Sequence, residues 1–156
     1  MANVAALIDQ EIAIIPSFTL DCGRVLRDVP VAYKTWGHLN DTKDNVMIIC
    51  HAFTGSADVQ DWRAILLHIF CSTLSHKICL FCRWGPLMGP GKAFDYNRFL
   101  IVCLNVMGSP YGSASPITTD PDTGRPYGPE FPSTTIRDDI RLAKRAHCRA
   151  NLSWYS

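Results

Sequence analysis

Short apolar runs, separated by polar and turn-rich stretches, predict several strands in the first two-thirds of the chain. SFTLD at 17–21 is a short strand candidate, with a turn at Cys22-Gly23. Residues 29–36, VPVAYKTW, alternate and contain β-branched and aromatic side chains, which favours a second strand. Pro30 suits the start or the edge of that strand, because proline cannot donate to a ladder.

Two later runs are apolar without alternation. They are VMIIC at 46–50 and FLIVCL at 99–104. Continuous apolar runs of this length are typical of strands buried on both faces, as in a parallel sheet. We therefore predict two neighbouring parallel strands, with Asn105 at the carboxyl end of the second, where open α/β sheets bind ligands.

The last third of the chain begins with a long loop and continues as a helix. Residues 109–131 are rich in Gly, Pro, Ser and Thr, and a loop of this length is usually functional or disordered. The following STTIRDDIR predicts a helix start with Ser133 or Thr134 as N-cap. Asp138 and Asp139 then lie in the early turns, where carboxylates favour the helix dipole.

Composition changes this picture little. A chain of 156 residues with 47% hydrophobic and 19% charged residues is one globular domain, and a net charge of +1 gives no nucleic-acid footprint. The first residues lack the basic region of a secretory signal. Cys50 and Cys103 fall in the apolar runs, so we interpret them as buried hydrophobes in a reducing compartment. A cytoplasmic location follows.

The chemistry is concentrated where the first apolar run ends. NVMIICHAFTG, 45–55, is a buried strand opening into a turn, the arrangement by which an α/β-hydrolase builds half of its oxyanion hole. The other half accompanies a G-x-S-x-G nucleophile elbow. No such motif occurs in the 156 residues, so we expect the nucleophile to be missing from this chain.

Five blocks together resemble the homoserine O-acetyltransferases, most closely the fungal type. They are IPSFTLDCGRVLRDVPVAYKTWGHLND, NVMIICHAFTGSADVQDW, WGPLMGPGKAFD, FLIVCLNVMGSPYGSASP and PDTGRPYGPEFPSTTIRDD, in the family's order. The resemblance implies an α/β fold, specifically the N-terminal part of an α/β-hydrolase with an incomplete, mostly parallel sheet. It also implies acetyl transfer from acetyl-CoA, as co-substrate, to L-homoserine in methionine biosynthesis.

The family's mechanism is ping-pong, with a Ser, Asp, His triad that comes late in the chain. None of the triad positions falls within these residues, so we expect the chain to be inactive alone. The resemblance further implies no bound cofactor or metal, a homodimer at full length, and neither nucleic-acid nor membrane partners.

The resemblance assigns one catalytic group, the backbone N–H of Phe53, which would face the carbonyl oxygen in the oxyanion hole. The family usually has Leu there. Further residues are expected near the acyl or homoserine pocket: His51, Ala52, Thr54, Gly55, Asn105, Gly108, Ser109 and Gly112. For the last four, simple turn chemistry remains an equal interpretation.

Two segments depart from the family within the single partial domain 1–156. Residues 63–83, RAILLHIFCSTLSHKICLFCR, contain no Gly, Pro or acidic residue, and we interpret them as an insertion from a translated intron. Residues 142–156 lose the family pattern and form an aberrant tail. Sequencing the spliced transcript tests both interpretations.

The insertion has three other interpretations. An amphipathic surface helix is the best structured alternative. A zinc site from Cys71, His76, Cys79 and Cys82 is disfavoured, because four ligands crowd into twelve residues that contain no turn. A membrane span is disfavoured because polar residues interrupt the apolar stretches.

Other functions remain open. A truncated subunit can act as a non-catalytic binding module or pseudoenzyme. A related serine O-acyltransferase or homoserine O-succinyltransferase would have the same fold.

Overall fold

The structure, a computed structural model, describes residues 8–51, 55–60 and 84–149. It has four strands, β1 (Glu11–Thr19), β2 (Val25–Trp36), β3 (Val46–Ile49) and β4 (Leu100–Leu104), and one helix, α1 (Ile136–Arg149). Short 3-10 turns lie at Gly85–Leu87 and Gly128–Glu130. Several predictions fall outside the described residues: those on Ala52, Phe53, Thr54, the insertion 63–83 and the end of the tail, 150–156.

β1 and β2 form an antiparallel hairpin closed by the predicted Cys22-Gly23 turn, in which the Gly23 N–H donates to the Leu20 carbonyl. Both strands begin earlier than predicted, β1 at Glu11 instead of Ser17 and β2 at Val25 instead of Val29. β1 is an outer strand of the described sheet, where a missing N–H costs little, so the strand passes through Pro16.

Pro30 lies inside β2, opposite Ile14, and not at the start or edge of a strand as predicted. Its carbonyl accepts from the Ala114 N–H, so its nitrogen also points away from β1. β4 pairs with β2 only from Tyr33 onward. The missing donor of Pro30 therefore removes no ladder hydrogen bond.

The strand order is β1-β2-β4-β3, and the predicted parallel pairing of β3 with β4 is confirmed, with Ile49 opposite Cys103. The expectation of a mostly parallel sheet is wrong for the described part, because two of its three pairings are antiparallel. The pairing of β1 with β2 is antiparallel because the tight turn that joins these strands permits no other arrangement. The sheet is mixed.

β4 is buried on both faces as predicted, whereas β3 is not. Ile49 is buried but Ile48 is 54% exposed, because β3 is the other outer strand of the described sheet. Cys103 is buried in β4 and Cys50 is exposed, one residue beyond the end of β3. The prediction that both cysteines are buried is therefore wrong for Cys50.

Helix α1 begins after Thr135, so the predicted N-cap, Ser133 or Thr134, is wrong by one or two residues. The Thr135 hydroxyl accepts from the Asp138 N–H at 3.1 Å, and the Asp138 carboxylate accepts from the Thr135 N–H at 3.0 Å. This reciprocal pair satisfies two donors at the helix start. Leu142 and Ala146 are buried against the β1–β2 hairpin, so the helix continues into the segment 142–156.

The long loop 109–131 is held by main-chain hydrogen bonds. The Tyr127 N–H donates to the Thr118 carbonyl at 3.0 Å, and the Gly128 N–H to the Pro116 carbonyl at 2.8 Å. The loop is thus a series of turns folded over the hairpin. Tyr127 and Phe131 pack against the core beside it.

Candidate active site

The carboxyl ends of β3 and β4 bring two of the predicted segments to one edge of the sheet. His51 follows β3 by two residues and is half-buried, and Asn105 follows β4 directly. Gly55 is buried. Because the two strands are parallel neighbours, His51 and Asn105 lie at the same edge of the sheet.

The segment after the turn, 55–60, is attached to β2 by two side-chain contacts. Lys34 Nζ lies 3.0 Å from Asp58 Oδ2, and Trp36 Nε1 donates to Gln60 Oε1 at 2.9 Å. Burial opposes the charge on Lys34, but its hydrogen bonds to Asp9 and Asp58 hold its pKa above the ordinary value. The ammonium group therefore stays charged and anchors the segment.

Sequence reasoning missed the role of Lys34. A lysine in an alternating strand is usually a solvated residue, and its carboxylate partner is distant along the chain. The alternation of β2 places Lys34 on one face, but only the fold brings Asp58 to it.

The backbone of Asn105 is fixed by hydrogen bonds on both sides. Its N–H donates to the Ala32 carbonyl at 2.8 Å, and its carbonyl accepts from the Ser113 hydroxyl at 2.6 Å. The same hydroxyl accepts from the Ala32 N–H at 3.0 Å. Ser113 thus ties the loop after β4 to β2.

The side chains of Asn105 and Ser109, unlike the Asn105 backbone, lack hydrogen-bond partners among the described residues. They are 3% and 6% exposed, and neither the carboxamide nor the hydroxyl has a hydrogen-bond partner within 8–51, 55–60 and 84–149. Buried polar groups in folded proteins are nearly always paired, so these two call for an explanation. Both were among the predicted substrate-binding residues.

The two predicted glycines after β4 are required, or tolerated, for different structural reasons. Gly112 has φ +117°, and a Cβ there would lie 2.6 Å from Gln10 Nε2 and 2.9 Å from the Ala32 Cβ. It permits a close approach of the loop to β2. Gly108 has φ +86°, and a Cβ there would meet no heavy atom within 4 Å. The turn at Gly108 therefore adjoins open space.

Asp139 is a second residue that the sequence did not indicate as part of this site. Its Oδ1 accepts from the Met107 N–H at 2.9 Å, so helix α1 holds the loop after β4. Burial raises the pKa of Asp139, and the Asp138 carboxylate adds to the rise, while the Met107 N–H and His51 oppose it. The signal in the sequence, acidic residues in the first turn of a helix, indicated only a dipole interaction.

Neither a metal-binding cluster nor a membrane-spanning helix occurs among the residues described. Within 8–51, 55–60 and 84–149, no group of three or more His, Cys, Asp or Glu side chains is placed to hold a metal ion. No helix of that part of the chain has the length and apolarity to cross a membrane.

Curated relatives match most of the chain. A homoserine O-acetyltransferase of Ascobolus immersus is 59% identical over 133 residues, which are 85% of this chain and 22% of that protein. The homoserine O-acetyltransferases of Schizosaccharomyces pombe and Saccharomyces cerevisiae are 52% and 51% identical, over 90% and 85% of this chain. The chain spans about a quarter of the length of these relatives, 22–24%. No family model matches.

Solved structures agree on the fold. Esterase E22 superposes with a TM-score of 0.71 at 28% identity, over 92% of this chain and 38% of that one. The homoserine O-acetyltransferase of Bacillus anthracis superposes with a TM-score of 0.68 at 27% identity, over 92% and 37%. The chain is therefore a homologue of the homoserine O-acetyltransferases that matches about a quarter of their length, and its mixed sheet is part of an α/β-hydrolase fold.

Proposed function

We propose that the chain supplies the oxyanion-hole segment of a homoserine O-acetyltransferase. The complete enzyme would transfer acetyl from acetyl-CoA to the hydroxyl of L-homoserine, act as a cytoplasmic homodimer, and need no bound cofactor. The observation that carries the proposal is the identity of 51–59% with enzymes of that name over 85–90% of the chain.

The geometry supports the same assignment. The segment 55–60, which follows the proposed oxyanion residues in the sequence, is anchored through Asp58 to Lys34 of β2. A backbone donor in an anchored turn is already oriented when charge develops on the carbonyl oxygen, which is why such donors lower the barrier. Phe53 would provide that N–H.

The nucleophile must come from elsewhere, since the chain has no G-x-S-x-G motif. We therefore expect no turnover from these residues alone. The test is complementation with the Saccharomyces cerevisiae enzyme from which the matching segment, 23% of its length, has been deleted. The yeast enzyme divided at the same two points is the positive control.

The expected result is O-acetylhomoserine from the mixture and from neither part alone. Failure of the mixture while the divided yeast enzyme is active would refute the proposal. Acetate release without O-acetylhomoserine would instead favour an esterase, the activity named for a structural neighbour.

A matched pair of variants tests the oxyanion donor. Phe53→Pro removes the backbone N–H, and we expect kcat of the complemented enzyme to fall about 10²–10³-fold, the effect of losing one oxyanion donor. Phe53→Leu keeps the N–H and restores the family's usual residue, so its kcat should stay close to that of the parent. Equal activity of the two variants would remove Phe53 from the mechanism.

A further inference from the structure

The Asp139 carboxylate connects helix α1 to the loop that follows β4. Its Oδ1 atom accepts from the Met107 N–H at 2.9 Å, although the two residues are 32 positions apart. The Met107 side chain is buried in the apolar cluster that also contains Leu142 of the same helix. Met107 is therefore fixed to the helix twice, once by its side chain and once by its main chain.

The same carboxylate also interacts with the residue that follows the other parallel strand. Burial raises the pKa of Asp139, and the charge of a protonated His51 opposes that rise. His51 lies two positions beyond the end of β3, and Met107 lies three positions beyond the end of β4. One side chain of α1 thus acts on both segments at the edge of the sheet where we place the active site.

The start of the helix does not require Asp139. Asp138 already exchanges hydrogen bonds with Thr135 there, so the capping position is filled. Asp139 instead carries its charge against burial and against the neighbouring Asp138 carboxylate, which both raise its pKa. The loop 105–115 has no charged side chain, so His51 is the described group whose charge favours the ionised Asp139.

We propose that Asp139 is a positioning residue of the candidate active site, and that its ionised carboxylate keeps the residues after β3 and β4 in one fixed arrangement. Asp139 takes no part in the chemical steps and acts through Met107 and His51. The inference rests on the proposed function, because a fixed spacing of the two segments affects turnover only if both serve one reaction.

Two substitutions separate the two contacts of the carboxylate. Asp139→Asn keeps an oxygen that can accept from the Met107 N–H but removes the charge that acts on His51. Asp139→Leu removes both. Asp122→Asn is the matched control, because it makes the same chemical change on an aspartate that is 61% exposed and forms an ion pair with Arg27.

Hydrogen exchange of the 156-residue chain, followed by NMR, tests the contact with the loop. We expect exchange of the Met107 amide to accelerate about tenfold in Asp139→Leu, the ratio that one net hydrogen bond of ordinary strength gives. It should accelerate less in Asp139→Asn. The Asn105 amide, which donates to the Ala32 carbonyl, is the internal reference for general destabilisation.

The ring signals of His51 test the contact with the end of β3. They should shift in both Asp139 variants and keep their parent positions in Asp122→Asn. In the parent chain they should also move as the Asp139 carboxylate is titrated, with a midpoint above the ordinary aspartate value. This titration needs no variant, so it remains informative if a substitution prevents folding.

Activity is measured in the complemented enzyme. We expect kcat to fall about tenfold or more in Asp139→Asn, because a small displacement of oriented groups slows a reaction strongly. The acidic limb of the kcat profile that follows Asp139 in the parent should be absent from this variant. Asp122→Asn should retain both the parent kcat and the parent profile.

The proposal is overturned if Met107 exchange in Asp139→Leu changes no more than that of the Asn105 reference, or if the His51 ring signals do not follow Asp139 in the parent chain. Its failure can be separated from failure of the enzymatic function. Complementation with an unchanged kcat in Asp139→Asn rejects the positioning role alone, whereas the expected NMR changes without complementation reject the transferase alone.

Discussion

Among the charged side chains of the described residues, Asp138 is the one whose loss we expect to lower the free energy of unfolding most. Its side chain is fully buried at the start of α1 and accepts hydrogen bonds from four donors. These are the Asp21 N–H at 2.9 Å, the Thr135 N–H and hydroxyl, each at 3.0 Å, and the Arg141 guanidinium. The carboxylate thus joins the hairpin turn to the helix.

The size of the effect follows from those contacts. Asp138→Ala removes a capping partner, worth about 1 kcal/mol. It also removes hydrogen bonds to a charged acceptor, each about 1.5–3 kcal/mol. Asp21 and Thr135 are exposed, so water satisfies part of what is lost. We expect a decrease of about 3 kcal/mol in the free energy of unfolding, within the range for breaking a buried pair.

Urea unfolding at neutral pH measures this decrease. The control is Asp122→Ala, which breaks the ion pair with Arg27 between side chains 61% and 64% exposed and should cost less than about 1 kcal/mol. Equal costs for the two variants would refute the reasoning.

Acid supplies a second check on Asp138. Burial opposes its charge, but the Arg141 guanidinium and the donors from Asp21 and Thr135 hold its pKa below the ordinary value. Because the pKa of Asp138 is lower in the folded than in the unfolded protein, its stabilising contribution is complete above the unfolded pKa of about 3.9. That contribution is lost as the pH falls through the pKa of the folded state. The difference between the parent and Asp138→Asn should therefore shrink in acid, and a constant difference would contradict the assignment.

Two other predictions concern backbone and thiol groups. Gly37→Ala should lower the free energy of unfolding by ~1–3 kcal/mol more than Gly23→Ala. Both glycines have positive φ, but only at Gly37 would a Cβ lie 2.2 Å from the Phe99 carbonyl oxygen. Urea unfolding of the two variants measures the difference. Native alkylation followed by peptide mass spectrometry should label Cys50 and spare Cys103, since burial raises the pKa of the Cys103 thiol to about 12. Rapid labelling of Cys103 would show that β4 opens.

Much of the fold was visible in the hydrophobic pattern. The uninterrupted apolar runs correctly placed β3 and β4 and their parallel pairing. Such runs are typical of strands covered on both faces, which holds for β4 and not for β3. Boundaries were less accurate. Pro30 favoured a strand start or edge, but it lies inside β2, where no ladder hydrogen bond is required of it, and this depends on the neighbouring strands.

For the candidate site, too, the sequence indicated some residues and the structure added others. The sequence indicated Asn105 and Ser109 through their place after an apolar run, but equally indicated ordinary turn chemistry. The structure adds that both side chains are buried and have no hydrogen-bond partner among the described residues, and burial is a property of the packed chain. Lys34 and Asp139 were missed as anchors, because each acts on a residue far away in sequence.

The sequence by itself determined the strand and helix periods, the turn at Gly23 and the family blocks, since these depend on side chains a few positions apart. Only the tertiary structure decided that the sheet is mixed, that Cys50 is exposed, and which polar groups are anchored or left unpaired. Those properties depend on contacts between segments distant along the chain, such as Lys34 with Asp58 and Met107 with Asp139. No local pattern encodes such contacts, because many partners are compatible with the same run of residues.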